Sequence, residues 1–317
     1  MKKISIIIPV REINDYIREA IPHHLRLDYP DYEILIFPDE PCSEVFPKTR
    51  IIPSGKTGPA EKRDMALTYA SGEIIAFIDD DAYPRADWLK NAVRHFDDPS
   101  VGAVGGPAVT AENDGVLRQA SGKVYESFLC SGGYTYRYVP GKLMDAEDLP
   151  SVNLLVRKDV FAQVGGYDSS FYPGEDTKLC LDIIKVAGKR IVYDPDVLVY
   201  HHRRKLFREH LKQSGNYALH RGYFAKVLPD TSRKLVYFVP SMFVLGLIAG
   251  PLLSLLFPPL WYLYLTVLLL YFILLVASTA CFKDIRVWLL SIAGVFLTHV
   301  GYGIGFVRGL LSRELIR

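Results

Sequence analysis

Glu73-Ile-Ile-Ala-Phe-Ile-Asp-Asp-Asp-Ala-Tyr-Pro84 is an apolar run that ends abruptly in three acids. An apolar run of this length, without polar alternation, is typical of a strand that is buried on both faces. Acids at the carboxyl end of such a strand lie where open α/β sheets bind their ligands. We therefore expect a central strand over residues 74–78, with ligand-binding carboxylates directly after it.

The three adjacent carboxylates of Asp79, Asp80 and Asp81 repel one another unless positive charge offsets theirs. Mg²⁺ and Mn²⁺ bind carboxylate oxygens and bridge them to phosphates. Asp79 and Asp81 could direct oxygens to one such ion if the chain turns between them. The alternative is a solvated acidic loop after a strand, and the spacing alone leaves both interpretations open.

Short apolar runs alternate with helical patterns in the chain before this strand. Strand, helix, strand, helix, strand is the pattern of a mostly parallel sheet with helices on its faces. The predicted fold class is therefore α/β. The expected strands cover residues 4–10, 32–37 and 49–53, and the expected helices cover residues 14–27 and 61–70.

Acids recur at the ends of these strands, first at Asp39 and then at residues 79–81. One crevice at the carboxyl edge of the sheet would collect both groups. Further along the chain the signals are weaker, especially over residues 112–150. The remaining expected elements are a helix over residues 86–96 and strands over residues 101–110, 134–138, 152–156, 190–193 and 197–200.

A second informative stretch, Phe171-Tyr-Pro-Gly-Glu-Asp-Thr177, precedes apolar residues at helical spacing. Glu175 and Asp176 therefore lie at the N-terminus of a helix. Acids there are favourable caps because they face the positive end of the helix dipole. A catalytic carboxylate is the other interpretation, and spacing does not separate the two.

The whole composition limits the class of protein. The chain has 317 residues, a formal net charge of +2 and 50% hydrophobic residues. A nucleic-acid binder would usually be strongly basic, so we expect no nucleic-acid partner. Cys42, Cys130, Cys180 and Cys281 have no metal-ligand spacing, which indicates free thiols in a reducing compartment. Met1 leads directly into a strand without a signal-peptide pattern, so we expect the first domain to be cytoplasmic.

The apolar excess lies near the C-terminus. Residues 203–221 are rich in Arg and Lys with interleaved apolar residues, which predicts a basic amphipathic helix on an anionic membrane surface or, alternatively, an ordinary solvated helix. Residues 235–281 contain no charged side chain, a length that fits two membrane spans. The expected domains are a catalytic domain over 1–202, an interfacial region over 203–234 and a membrane domain over 235–317, with spans over about 235–257 and 260–281.

A third uncharged stretch, over residues 287–308, is harder to assign. By the positive-inside rule, the basic residues 203–234 and the Lys283 and Arg286 pair belong on the cytoplasmic side. A third full span would place Arg308, Arg313 and Arg317 outside, against that rule. The sequence therefore favours a re-entrant or interfacial segment over a third span.

These motifs together resemble those of an inverting family 2 glycosyltransferase of the GT-A fold, a Rossmann-like mostly parallel sheet with flanking helices, here followed by C-terminal membrane helices. Each motif is weak alone, but they occur in the family's order across about two thirds of the chain. Residues 213–221 and the membrane tail resemble the branch that builds exopolysaccharides or lipid-linked glycans, including the succinoglycan-synthesis type. The matching stretches are residues 5–10, Asp39, residues 58–64 and 77–81, Asn153 with Arg157, and residues 165–168, 174–176 and 193–201.

The resemblance implies a role for each matching residue. Asp176 would be the general base, with Glu175 beside it in the catalytic pair. Asp79 and Asp81, the outer positions of a DxD motif, would bind Mg²⁺ or Mn²⁺. His201 is a further candidate ligand of the metal or the diphosphate, although histidines at a strand end are as often structural. The residues expected to bind the nucleotide-sugar are Pro9, Val10, Arg11, Asp39, Lys62, Arg63, Asp79, Asp80 and Asn153.

Two departures from the family pattern qualify the resemblance. Position 64 is Asp where Asn is commoner, and the QxxRW motif of processive synthases is absent, because Ser-Gly-Asn-Tyr follows Gln213. The second departure implies transfer of a single sugar rather than polymerisation.

The resemblance also implies the partners and the location. The expected partners are a nucleotide-sugar donor, a polyprenyl-linked or glycan acceptor and the lipid bilayer. The expected location is the inner or plasma membrane, as a multi-pass protein. A membrane-anchored nucleotide-binding scaffold is the main alternative, and a transporter is disfavoured because His299 is the lone ionisable residue inside the apolar stretches.

Overall fold

The computed structural model describes residues 1–281 and 283–314, so the expectation for Arg317 lies outside the described residues. The chain divides into two compact units. The first unit contains residues 1–110 and 136–202, and the second contains residues 111–135 and 203–317. The first unit ends at residue 202, where the sequence placed the end of a catalytic domain. The segment 111–135, which the sequence placed in that domain, belongs to the second unit.

The strands and helices of each unit follow the chain order. The strands are β1 (Ile4–Pro9), β2 (Tyr32–Phe37), β3 (Thr49–Ile51), β4 (Ile74–Phe77), β5 (Ala82–Pro84), β6 (Val101–Gly105), β7 (Ala108–Thr110), β8 (Met144–Asp145), β9 (Leu154–Arg157), β10 (Arg190–Tyr193) and β11 (Val199–His201). The α-helices are α1 (Asp15–Leu25), α2 (Pro59–Asp64), α3 (Ala66–Tyr69), α4 (Trp88–Val93), α5 (Val116–Glu126), α6 (Phe128–Ser131), α7 (Lys158–Gln163), α8 (Glu175–Lys185), α9 (Arg208–Val227), α10 (Pro229–Ser232), α11 (Leu235–Leu256), α12 (Leu260–Ser278) and α13 (Ile285–Leu311).

An eight-stranded sheet forms the centre of the first unit, in the order β3-β2-β1-β4-β9-β6-β10-β8. Strands β1, β2, β3 and β4 are parallel, and every residue of β1 and β4 is buried. This confirms the expected mostly parallel sheet and the central strand. Strand β9 lies between β4 and β6 and runs antiparallel to both. Helices pack on both faces because the sheet has an apolar cluster on each side.

A small second sheet, in the order β5-β11-β7, follows the carboxyl end of β4. Strand β11 is antiparallel to β5, with His201 opposite Ala82. It is parallel to β7, with His201 opposite Thr110. This pairing brings the end of the motif at residues 193–201 beside the acids that follow β4.

Several expected elements differ from the structure. The strand expected over 101–110 is two strands, β6 and β7, which belong to different sheets. Residues 132–137 form a 3₁₀ helix where the sequence suggested a strand over 134–138. The expected helix over 61–70 is two short helices, α2 and α3, that meet at Met65. The aromatic composition of residues 132–137 is compatible with a strand or a helix. The helical pattern over 61–70 does not show that the helix is interrupted at Met65.

Asp64 caps a tight turn in the first unit. Its Oδ1 accepts a hydrogen bond of 2.7 Å from the backbone N–H of Tyr167. The preceding residue, Gly166, has a φ of 80°, and a Cβ there would lie 2.5 Å from the same carboxylate oxygen. Glycine is therefore required at position 166. Burial raises the pKa of Asp64 to about 7, so a large share of this carboxyl group is protonated near neutral pH. The protonated group is uncharged, as an Asn amide would be.

We expect Asp64→Asn to keep or raise stability and Asp64→Ala to lower it by about 1–2 kcal/mol. An Asn oxygen can still accept from Tyr167, whereas Ala leaves that N–H unpaired. A raised folded-state pKa means that stability falls as pH rises from about 4 to about 7. The advantage of Asn over the native Asp should therefore grow across that range and vanish below it. Thermal unfolding of the three proteins at pH 4 and pH 8 measures this, and equal responses of Asn and Ala would contradict it.

The helices α5, α9 and α13 pack together in the second unit through small residues. A Cβ at Gly309 would lie 1.8 Å from the Leu219 carbonyl oxygen, and one at Gly222 would lie 2.1 Å from the Phe306 carbonyl oxygen. Backbones can approach this closely only where side chains are absent. The buried face of α9 accordingly includes Ser214, Ala218 and Gly222, whereas Tyr217 is exposed. A helix was expected over 203–221, and α9 covers Arg208–Val227. Its buried face includes several small side chains rather than a continuous row of large apolar ones.

Helices α11, α12 and α13 are long and apolar enough to cross a membrane, with mean hydropathies of 2.0, 2.4 and 1.6. They differ in burial. Only 6% of the most apolar window of α11 or α12 is buried in the protein, against 39% for α13. The first two therefore fit the expected spans, and α13 is the helix that the other elements of this unit cover.

The ring contacts and hydrogen bonds between α13 and the other two apolar helices involve the first half of α11 and the second half of α12, as far as Phe243 and Tyr271, which both contact His299. Ser241 of α11 donates to the Gly303 carbonyl, and Phe238 packs edge-on against Phe306. On α12, the Val276 carbonyl accepts from the Trp288 indole. The α13 contacts therefore lie in the first half of α11 and the second half of α12. These two halves are neighbours because a short turn joins α11 and α12 into a hairpin.

Candidate active site

Each of the three acids after β4 has its own partner. Asp79 pairs with Arg63 at 2.7 Å, Asp80 accepts a hydrogen bond of 2.6 Å from Asn14, and an oxygen of Asp81 lies 3.1 Å from His201 Nε2. The repulsion among adjacent carboxylates is thus offset by separate groups. Asp81 is buried, and these contacts argue against a purely solvated acidic loop.

Local structure explains how these partners reach the acids. Asn14 is the N-cap of α1, and its side-chain oxygen accepts from the Ile17 N–H, which leaves its amide NH₂ for Asp80. His201 ends β11, whose pairing with β5 sets it beside Asp81, and the His202 N–H donates to the Asp81 carbonyl at 2.9 Å. The middle and outer acids are therefore held by a helix cap and by a strand pair.

Asp39 and Lys62 form a second group at the carboxyl edge of the sheet. The Lys62 ammonium is buried and contacts both the Asp39 carboxylate and the Val10 carbonyl. The Asp39 N–H also donates to the Arg11 carbonyl at 2.9 Å, which ties the ends of β1 and β2 together. The structure thus brings together the predicted residues Val10, Arg11, Asp39 and Lys62, while Pro9 closes β1 next to them.

Arg63 links the acids after β4 to the start of α8. One of its terminal nitrogens donates to Asp79 at 2.7 Å, and the other donates to Glu175 at 3.0 Å. Glu175 also accepts from the Gly174 N–H through its second oxygen, at 2.9 Å. Arg63 and Glu175 are both buried, so this ion pair is shielded from solvent.

Asp176 follows Glu175 in the first turn of α8 and is partly exposed. Its Oδ1 accepts a hydrogen bond of 2.8 Å from the Thr177 N–H. Burial, together with the nearby carboxylates of Glu175 and Asp148, raises the pKa of Asp176 to about 7. A carboxylate with this pKa can accept a proton from a hydroxyl group near neutral pH. Glu175 is committed to Arg63 and to its own helix, so Asp176 is the better candidate for the base.

Asp148 is a carboxylate near Asp176 that was not predicted from the sequence. It is buried, accepts from the Thr177 hydroxyl at 3.1 Å and lies 3.4 Å from an Arg137 nitrogen. It lies in the weakly patterned region before β9, where periodicity carries no information. A cluster of acids at residues 145, 147 and 148 was the available signal.

Asp81 and His201 are the neighbouring side chains whose donor atoms could bind a divalent cation. Within residues 1–281 and 283–314, no cluster of three or more His, Cys, Asp or Glu side chains forms a closed metal site. Asp81 and His201 together present one carboxylate and one imidazole nitrogen. Mg²⁺ is usually held by one or two carboxylates plus substrate phosphates, and Mn²⁺ accepts both donor types. The pair fits a cation that a diphosphate completes. Asp79, the other predicted ligand, is paired with Arg63.

Asn153, a predicted nucleotide-sugar contact, lies beside the end of β4, because the next residue, Leu154, pairs with Phe77. Its side chain is fully buried, accepts from the Trp88 indole at 2.8 Å, and donates to the carbonyls of Pro107 and Val197. The Asn153 side chain makes three hydrogen bonds inside the protein. The geometry therefore favours a structural role, and the acid at Asp194 in the next motif likewise pairs with His95 and Arg94.

Comparison with known proteins gives the family and the fold. The profile described as Glycosyl transferase family 2 matches residues 5–165 of the 317. The structure of a mannosyltransferase from Pyrobaculum calidifontis, solved in complex with GDP-mannose and Mn²⁺, is similar with a TM-score of 0.64 and 21% identity. The similarity covers 99% of this chain and 88% of that one, and it shows the GT-A-like fold with its C-terminal apolar helices.

Curated relatives match parts of the chain. A pre-mycofactocin glycosyltransferase of Mycobacterium tuberculosis is 31% identical over 56% of this chain, which spans 37% of that relative. A glucosyl-dolichyl phosphate glucuronosyltransferase of Haloferax volcanii is 28% identical over 47% of the chain, which spans 48% of that relative. A dolichyl-phosphate-linked diacetamido-glucuronosyltransferase of Methanococcus voltae is 22% identical over 71% of this chain and 76% of its own length.

The order of the motifs, the sheet topology and the profile match lead to one assignment. The matched residues include most of β1, all of β2 and β4, and the acids that follow β4, whereas Glu175, Asp176 and His201 lie beyond them. The chain belongs to glycosyl transferase family 2.

Proposed function

We propose that the protein is a membrane-bound inverting glycosyltransferase that moves a single sugar from a UDP- or GDP-sugar to a hydroxyl group of a lipid-linked or glycan acceptor. The observation that carries this proposal is the connection of Asp176 to the acids after β4 through Arg63 and Glu175. A general base and a donor-phosphate site must lie close together in a single displacement, and this bridge joins them.

Asp176 acts as the general base. An acceptor hydroxyl attacks the anomeric carbon while its proton passes to the Asp176 carboxylate, and the bond from that carbon to the nucleoside diphosphate breaks. One displacement from the opposite face inverts the configuration at the anomeric carbon. The pKa of about 7 suits this role, because the carboxylate is then ionised in part yet basic enough to take the proton.

Asp81 and His201 would hold the divalent cation, Mg²⁺ or Mn²⁺. When bound, this cation supplies positive charge to the leaving group. Asp39, which follows β2, and Lys62, in α2, contact the nucleoside, with Asp39 as the acceptor for a base or ribose donor group. The partial exposure of Asp39 leaves its carboxylate accessible for such a contact.

The acceptor class follows from the membrane helices and from the relatives. Helices α11 and α12 hold the chain in a bilayer, where a polyprenyl-linked sugar or a growing glycan would be presented. The Haloferax volcanii and Methanococcus voltae relatives are named for transfer to dolichyl phosphate-linked sugars, which supports the same acceptor chemistry here. The missing QxxRW motif supports transfer of one sugar.

The experiment that tests this function is a turnover assay on the detergent-solubilised full chain. Release of UDP or GDP from nucleotide-sugars is measured with polyprenyl-phosphate-linked acceptors, in the presence of Mn²⁺, Mg²⁺ or EDTA. We expect acceptor-dependent and metal-dependent release from one nucleotide class, with an inverted product by NMR. Nucleotide binding without release from any donor and acceptor pair would support the membrane-anchored scaffold instead.

We also propose that the inner or plasma membrane is crossed twice, by α11 and α12, and that α13 lies along the cytoplasmic interface. The ring contacts and hydrogen bonds of α13 with the first half of α11 and the second half of α12 support this, because a third span would run along their full length. The packing of α13 against the basic helix α9 supports it as well. The catalytic unit is cytoplasmic in this arrangement.

Cysteine labelling tests the topology. In a background in which the native cysteines are replaced, we expect Ser312→Cys to react with a membrane-impermeant maleimide only after the cells are permeabilised. Phe257→Cys, in the turn between α11 and α12, should react in intact cells. Labelling of Ser312→Cys from outside would show that α13 crosses the membrane and would contradict the interfacial arrangement.

A further inference from the structure

We propose, on the basis of the function proposed above, that Arg63 is a positioning residue that holds the catalytic base and the donor-side acids in register. Its guanidinium joins Asp79, directly after β4, to Glu175, in the first turn of α8. Both sequence motifs that carry chemistry therefore depend on one side chain from α2. The sequence suggested Arg63 only as a nucleotide contact.

The geometry leaves little freedom to this guanidinium. Each terminal nitrogen donates to a different carboxylate, and the group lies 5.5 Å from the centre of the Tyr167 ring. The Tyr167 hydroxyl is in turn hydrogen-bonded to Ser151 at 2.8 Å. A planar fork can make two such contacts at once, whereas a lysine ammonium has one point of charge. Arg63 is therefore suited to bridging two carboxylates.

The connection continues from Glu175 into the helix that carries the base. The second oxygen of Glu175 accepts from the Gly174 N–H, so the carboxylate is attached both to Arg63 and to the start of α8. Asp176 is the next residue on that backbone. A displacement of Arg63 would thus move the first turn of α8 relative to β4, and errors of about 1 Å in the position of reacting groups can cost about 10²-fold in rate.

Arg63 also sets the charge around Asp176. The groups that face Asp176 are Glu175 of the same helix, Asp148 before β9 with Arg137 beside it, Tyr167, and Arg63 of α2. The two carboxylates raise the pKa of Asp176, and Arg63 lowers it. Removal of the Arg63 charge should therefore raise that pKa, and removal of the Glu175 charge should lower it.

The experiment compares Arg63→Gln, Arg63→Lys and Glu175→Gln in the full chain, with kcat measured from pH 5.5 to 9. We expect Arg63→Gln to reduce kcat by about 10²-fold and to move the acidic limb of the profile to higher pH. Arg63→Lys keeps the charge but not the fork, so it should leave the limb in place while kcat still falls. Glu175→Gln should move the limb to lower pH.

Arg157→Gln is the matched control. This half-buried arginine donates to the carbonyls of Phe96, Val101 and Asp98, and it pairs with Ile74 at the opposite end of β4. We expect it to lower the unfolding temperature without moving the pH limb. If Arg63→Gln behaved in the same way, with a loss of stability and an unchanged limb, Arg63 would be only structural and the proposal would be overturned.

A double-mutant cycle separates this inference from the proposed function. If the native chain shows no turnover with any donor, the proposed function fails, but the bridge can still be tested by thermal unfolding of Arg63→Gln, Glu175→Gln and the double variant. A bridge predicts that the double variant is no less stable than the worse single variant. Additive losses would overturn the bridge even in an active enzyme.

Discussion

Replacement of Asp176 by Asn is expected to lower kcat by about 10²–10⁴-fold, the usual contribution of a general base. The amide has nearly the same shape, and it can still accept from the Thr177 N–H through its oxygen. It cannot take the proton from the acceptor hydroxyl. We therefore expect the affinity for the nucleotide-sugar to remain within a few-fold of the native value while turnover is lost.

The same substitution should stabilise the fold above neutral pH. The pKa of Asp176 is raised to about 7, because burial and two neighbouring carboxylates disfavour its charged form. A folded-state pKa above the unfolded value means that stability declines as pH rises between about 4 and about 7. Asn removes that penalty. Asp176→Asn should thus be nearly inactive yet have a higher unfolding temperature than the native protein at pH 8, with no gain at pH 4.

The native enzyme should show the corresponding pH dependence. We expect kcat to rise with pH around 7 and then to level, since the ionised carboxylate is the active form. Asp182→Asn is the matched control, because Asp182 lies on the same helix and pairs with Lys178. It should retain the native kcat and the native pH profile. Full turnover by Asp176→Asn would exclude Asp176 as the base.

Much of the catalytic unit could be predicted because local and tertiary signals agree there. The apolar runs of β1, β2 and β4 are buried on both faces, so composition alone identifies them as strands. Asp39 and the acids after β4 meet at one edge, as the rule for parallel strands requires. Helix α8 begins at the residue expected from the spacing of its apolar side chains.

The remaining features depend on contacts between distant residues, which periodicity does not encode. The segment 111–135 joins the second unit because α5 packs on α13, and nothing in its own composition reports that partner. The 3₁₀ helix over 132–137 has a strand-like composition. Burial of α13 likewise depends on small residues of α9, a partner that the apolar sequence of α13 does not report.

The candidate site shows the same division. Asp81 was predicted as a metal ligand from the family resemblance and His201 was a further candidate, and the pairing of β11 with β5 places them 3.1 Å apart. The bridge formed by Arg63 could not be anticipated, because residues 63 and 175 are far apart in the sequence. Asn153 matches a family motif, yet its amide is used to hold Trp88 and two carbonyls. A motif match identifies a position but not what the side chain contacts.

Asp81→Ala should abolish metal-dependent nucleotide binding. Asp81 is the one acid of the three that lies next to His201, so its loss leaves a single imidazole to hold the cation. Calorimetric titration of the solubilised chain with UDP and with GDP, each with Mn²⁺ or EDTA, measures the effect. We expect one of the two nucleotides to bind tightly with Mn²⁺ to the native protein, and Asp81→Ala to weaken that binding by at least about 10²-fold.

Two further variants make this result specific. His201→Ala removes the imidazole but leaves a carboxylate, so it should weaken metal-dependent binding by about 10-fold to 100-fold, less than Asp81→Ala. Asp196→Ala removes an exposed carboxylate of the same unit that pairs with Arg85, and it should bind as the native protein does. Because Asp79 is held by Arg63, Asp79→Asn should retain metal binding better than Asp81→Ala. Loss of binding in Asp79→Asn but not in Asp81→Ala would move the cation to the other end of the motif and would refute the Asp81–His201 site.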